Sequence, residues 1–172
     1  MKSFQSTVEN FHTKLWGHHL SVPEEIAIEF IEGDNRRVIC WLSDSVKIQS
    51  ALMPAKDYWF ILLNKNVRDQ LGLEEGQKIE VKIEKDHSEF GLPMPESFRV
   101  LLDQDDEGRK HFESLTMGKQ RNLVYIVGKV KNVDSQLNKG LAIMDHLKEV
   151  KGQLDFKKLN EKIKAYNNRN KF

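Results

Sequence analysis

The chain carries a single cysteine, Cys40, among 172 residues. A lone thiol excludes an intrachain disulfide framework and a thiolate zinc site built by one chain. There is almost no net charge, since 27 Lys and Arg stand against 26 Asp and Glu, a formal +1. That balance excludes a globally basic nucleic-acid binder and an acidic disordered chain. No apolar run approaches the roughly 18 residues of a membrane span, and the opening MKSFQSTVENFHTKLW holds no signal-peptide core. The expectation is a soluble, cytoplasmic protein with no membrane partner. Phosphate-loop, dinucleotide-fingerprint and nucleophile-elbow motifs are all missing.

What is present is an uneven charge and a change of period. Residues 1–116 carry 14 Lys and Arg against 21 Asp and Glu, while residues 117–172 carry 13 against 5. Two electrostatic faces follow, one acidic and one basic. In the first part, apolar residues recur mostly at the strand period of two. The pattern predicts strands over Ser3–Val8, Lys14–Val22, Arg37–Leu42, Lys47–Met53, Tyr58–Leu63 and Gln77–Lys85. Arg37–Leu42 is apolar on both faces and reads as an interior strand. Pro23, followed by Glu24 and Glu25, predicts the first position of a short helix.

Pro93 and Pro95, just beyond Gly91, mark a boundary after which the period becomes helical. Phe98, Leu101 and Leu102 share one helical face, and a helix over Asp105–Leu115 turns Phe112 and Leu115 inward. A helix capped by Thr116 buries Leu123, Ile126, Val127 and Val130. The next, from about Asp134 to a Gly152 cap, uses Leu137, Leu141, Met144 and Leu147. A basic helix from Phe156 to Tyr166 places Leu159 and Ile163 inward. The expected fold class is α+β, with a β-barrel domain over residues 1–90 and a small α-helical domain over 91–172.

The search for chemistry returns few candidates. His18 and His19 are adjacent, so a strand would send them to opposite sides, and no helical His pair supports a metal site. Cys40 lies in an apolar run, where a thiol behaves as a small hydrophobe. Asp103–Gly108 imitates the start of a calcium loop, but Lys110 and Ser114 occupy places eight and twelve, and the acids suit a helix N-terminus. The reading is therefore non-enzymatic, with no catalytic residue, no metal and no cofactor. A ligand or partner cleft is expected near Trp16, Trp41, Trp59 and Lys131, extended by Ser135 and Lys139. The first alternative is a nucleic acid held through phosphate contacts by Lys157, Lys158, Lys162 and Lys164, with Lys151, Arg169 and Lys171 nearby; the second, ranked below it, is an enzyme of unrecognised type.

Resemblances sharpen the fold. In Phe60–Asp86, the residues Arg68, Leu71, Gly72, Leu73, Gly76, Ile79 and Val81 follow a strand–helix–turn–strand pattern. The segment resembles one half of the AbrB/MazE swapped-hairpin barrels, which bind DNA. Phe4, Trp16, Val22-Pro23, Ala51-Leu52-Met53-Pro54 and Tyr58-Trp59-Phe60 resemble a bacterial family of unknown function with an AbrB-like double-split β-barrel. Because two barrel halves lie in one chain, the resemblance implies AbrB/MazE-like topology within a monomer. Pro93, Pro95, Phe98, Leu102, Phe112, Leu115 and Thr116 are similar to the YdeI/OmpD-associated, bacteriocin-protection-like helical domain. Its A-K-x-x-E-T-R-x-x-R motif is altered here to Val130-Lys131, Asp134-Ser135-Gln136 and Lys139. Gln136 replaces an anion-holding arginine. This second resemblance implies a binding or interaction role tied to envelope or antimicrobial stress.

Overall fold

The structure, a computed structural model, describes residues 1–14 and 16–169. Seven strands form where period-two patterning leads: β1 (Lys2–Asn10), β2 (His18–Val22), β3 (Arg37–Leu42), β4 (Val46–Ala51), β5 (Met53–Pro54), β6 (Trp59–Leu62) and β7 (Lys78–Lys85). They make one antiparallel sheet in the order β4-β3-β7-β1-β2-β6-β5. This order puts β4 and β5 at opposite edges, yet Leu52 alone separates them in the chain. Laid flat, seven strands would hold their edges roughly 29 Å apart at about 4.8 Å per step. One residue reaches only about 7 Å. The sheet must curl, and β4 comes against β6.

Leu52 is fully buried, and its amide donates to the Arg36 carbonyl at 2.8 Å. Inside the curl lie Val8, Leu20, Val38, Cys40, Ile61 and Val81, each 0% exposed. Along β7, buried Ile79, Val81 and Ile83 alternate with outward Lys78, Glu80 and Lys82, as the pleat requires.

Three sequence expectations change. The strand expected over Lys14–Val22 starts only at His18, because Thr13 holds the hairpin loop in. Its Oγ1 both accepts from the Trp16 amide and donates to the Trp16 carbonyl at 2.9 Å; Leu15 lies outside the described residues. The strand expected over Lys47–Met53 breaks at Leu52, where the chain changes edges. Pro23 is the N-cap of α1 (Glu24–Ala27), one place earlier than expected. By contrast, α2 (Lys65–Leu71) ends at Gly72, the glycine of the strand–helix–turn–strand pattern. Asn64 accepts the Val67 amide, and Gly72 sits at φ 60°, the left-handed conformation that closes a helix.

Asp86 ties the end of this unit together. Its carboxylate, 2% exposed, accepts the Ser88 amide at 2.8 Å and the Gln49 side-chain amide at 3.0 Å. Arg37 donates to the Gly91 carbonyl, and Gly91 at φ 67° leaves room for that guanidinium. Burial by itself would raise the Asp86 carboxyl, but the Ser88 and Gln49 hydrogen bonds, with the Arg37 charge, hold it below the usual range.

After Gly91 the chain enters its second compact unit. It contains α3 (Glu96–Gln104), α4 (Asp106–Ser114), α5 (Met117–Gly128), α6 (Val133–Glu149) and α7 (Phe156–Arg169). Helix α6 is the spine, since α3, α4, α5 and α7 all pack on it. Phe98 meets Phe112 edge-on at 5.5 Å, and Leu123, Ile143, Leu147 and Leu159 are fully buried around them. The inward face of α6 is Gly140, Ile143, Met144 and Leu147; Met144 and Leu147 lie inward as expected, Leu137 is half-buried beside them, and Leu141 departs from the expected row. Leu141 is 40% exposed. Close approach of α3 selects the glycine face, where a methyl group on Gly140 would meet Leu101 at 2.5 Å. On α5, Val124 joins Leu123 and Val127 inside, whereas Ile126 is only half-buried, and half-buried Val130 lies past the helix end. Among the described residues, no helix is long and apolar enough to cross a membrane.

Leu52→Ala is expected to cost about 3 kcal/mol in urea unfolding, within the range for a fully buried leucine. Asp86 gives a pH signature. Its lowered carboxyl stabilises the fold above the unfolded-state value and loses that contribution as pH falls below about 4. Asp86→Asn should flatten this acid limb in unfolding midpoints measured from pH 7 to pH 3.

Candidate functional site

Helices α6 and α7 form an antiparallel hairpin through residues 150–155, so the second half of α7 returns beside the first half of α6. On α6, Ser135, Asn138 and Lys139 recur at spacings of three and four, on one helical face. Lys164, Asn167 and Asn168 repeat that spacing on α7. The two polar stripes line a groove of about 820 Å³, completed by Val130, Asn132 and Asp134.

The groove has cationic and amide donors with one acid among them. Burial, with repulsion from Lys129 added, lowers the Lys139 ammonium from its ordinary value. Its Nζ donates to the Ile126 carbonyl at 3.3 Å. Asn132 caps α6 by accepting the Ser135 amide at 3.0 Å, which fixes the Ser135 backbone at the groove wall. Gln136, standing where the resembled motif has arginine, is a bracket. It accepts from the Ser97 hydroxyl at 2.7 Å and donates to the Val130 carbonyl at 2.8 Å. Such a site can hold an anion through ammonium and amide groups without a metal ion.

The residues expected from sequence are distributed between the two units. Trp16, Trp41 and Trp59 belong to the first, where each has separate partners. Trp16 meets Phe60 edge-on at 6.1 Å, Lys47 lies 5.5 Å over the Trp41 ring, and Arg36 lies 5.5 Å over Trp59. Lys131, exposed in the α5–α6 connection, Ser135 and Lys139 belong to the second unit. There Ser135 and Lys139 share their groove with Lys164, which the sequence reading had assigned to phosphate contacts.

Of the other α7 lysines, Lys158 and Lys162 do not follow it. At 3.6 residues per turn, Lys157 and Lys164 fall on one stripe, and Lys158 and Lys162 on another roughly 130° away. Lys162 is half-buried and paired with Glu149. Lys171 lies outside the described residues.

Sequence reasoning missed a histidine cluster in the first unit. His19 is 1% exposed and stacks on Phe11 with centroids 3.8 Å apart. Its Nε2 lies 3.1 Å from the Tyr58 hydroxyl and 3.3 Å from Glu9 Oε2, and its Nδ1 lies 3.2 Å from the Gly17 carbonyl. Only the strand pairing of β1, β2 and β6 brings these together. Cys40 is sealed in the sheet, and burial pushes its thiol up to about 12. Asp105 caps α4, accepting the Gly108 amide at 2.8 Å and Lys148 Nζ at 2.7 Å. Among the described residues, no three His, Cys, Asp or Glu side chains are grouped to hold a metal ion. Asn138, Asn167 and Asn168 were also missed, although their matched spacing was present to be read.

Residues 4–83 match the family model described as a domain of unknown function (DUF1905). The groove lies beyond the matched segment. No curated protein and no solved structure matches the chain.

Keeping a partly desolvated amine opposes stability, which sets Lys139 apart from a packing residue. Lys139→Met is expected to leave the unfolding free energy within about 1 kcal/mol of the parent, or to raise it, in denaturant melts.

Proposed function

We propose that the protein is a non-catalytic binding protein that takes a small anionic ligand in the α6–α7 groove. The observation carrying this reading is that Lys139 and Lys164 line one groove whose other polar groups are amides, a hydroxyl and the single Asp134 carboxylate. An anion there gains two charge-assisted contacts, and its arrival favours the Lys139 ammonium that burial disfavours. The buried, strongly raised Cys40 thiol supports a role without thiolate chemistry.

The resemblances extend the reading. The curled sheet is taken as an AbrB/MazE-like double-split barrel within one chain, supported by the capped β6–α2–β7 segment and by a single chain supplying every strand. The helical unit is taken as a YdeI/OmpD-associated-like domain with an envelope or antimicrobial stress role. Its altered motif contributes Asp134, Ser135 and Lys139 to the groove.

NMR titration of the full chain with inorganic phosphate, sulfate and acetate tests the proposal. Shifts should centre on Ser135, Asn138, Lys164 and Asn167. Lys139→Met and Lys164→Ala should each weaken binding about fivefold or more, the loss of one contact of about 1 kcal/mol. Absence of any response at millimolar anion overturns the groove reading. A duplex that shifts the exposed faces of Lys157 and Lys158 at low salt would favour the nucleic-acid alternative instead.

A further inference from the structure

We propose that His146 is an acid-sensitive latch on α7, opened when a proton takes the Nε2 lone pair that accepts the Asp155 amide. His146 lies in the last turn of α6 and is 1% exposed. The Asp155 backbone N–H donates to its Nε2 at 3.1 Å. An amide can only donate, so this nitrogen is bare and the ring proton sits on Nδ1. Asp155 is also the residue that starts α7. Its Oδ1 accepts the Lys157 and Lys158 amides at 3.0 and 3.1 Å. The histidine therefore holds the backbone of the residue whose side chain holds the helix. Protonation sets two donors against each other and leaves the Asp155 amide without its acceptor.

The surroundings decide where this happens. Burial is the largest influence on His146 and lowers it below its ordinary value of 6.5, and Lys162 and Lys158 of α7 add to the lowering. Asp155 and Glu149 oppose them, but Glu149 is engaged by Lys162. From α4, His111 lies against Gly152 in the same connection. The Asp155 carboxyl, held low chiefly by the Lys158 amide, stays ionised while the imidazole titrates. A folded-state value below the unfolded one means that stability is intact above about 6.5 and falls as pH drops beneath it. The latch is shut at neutral pH and opens in acid. Because α7 carries Lys164, Asn167 and Asn168, opening would also dismantle the groove. That consequence rests on the proposed binding function; the latch itself does not.

Native-state hydrogen exchange of the full chain, read by NMR without any ligand, provides the test. Through the His146 titration, α7 amides should lose about tenfold or more of their protection relative to α3 amides, the scale of one orphaned amide. Side-chain nitrogen shifts at neutral pH should report the Nδ1–H tautomer. His146→Gln, whose carbonyl can accept the same amide without titrating, should hold α7 protection level across the range. An Nε2–H tautomer, unchanged α7 protection in the parent, or the same acid loss in His146→Gln would each overturn the latch. If the glutamine variant does not fold, the parent's tautomer and exchange profile decide alone. A phosphate titration at neutral pH fails or succeeds separately, so the groove and the latch are distinguishable.

Discussion

A seven-stranded sheet whose edge strands are joined through one residue has no flat conformation. Leu52 imposes that condition, because β4 ends at Ala51 and β5 begins at Met53 on the far side of the strand order. Curling turns one face of every long strand toward a common interior. That interior is where Val8, Leu20, Val38, Cys40, Ile61 and Val81 lose all contact with water, the dominant favourable term in folding. The buried Leu52 side chain makes the junction part of the core it creates. The Asp86 hydrogen bonds and the Arg37–Gly91 contact then secure the last strand of this unit.

The helical unit depends on a comparable economy around α6. One face of this helix meets α3 at Gly140 and carries Ile143, Met144 and Leu147 into the core. The two ends of its contact with α7 have different characters. At one end His146 and Asp155 fasten the start of α7. At the other, the helices present matching polar stripes instead of apolar ones, and a groove opens. One helix pair thus has a fastened end and an open polar end.

Much of this was legible along the chain. The alternation over Gln77–Lys85, the Gly72 end of α2, and Leu159 with Ile163 on α7 each follow from local period and capping chemistry. The α6 face was legible only in part. Met144 and Leu147 are buried as their spacing implies, but Leu141 is not, because spacing does not say which neighbour approaches, and α3 requires a glycine beneath it. The site was half visible. Ser135, Lys139 and Lys164 were selected on separate grounds, and only the return of α7 placed them in one groove.

By itself the sequence determined where the chain has strand period and where helical period, and that Cys40 is a core residue, because these depend on neighbours a few positions away. Tertiary structure alone decided the strand order, the meeting of Glu9, His19 and Tyr58, and the hold of His146 on Asp155. Each of those joins residues through folding of the intervening chain, and local patterning carries no record of a partner's direction.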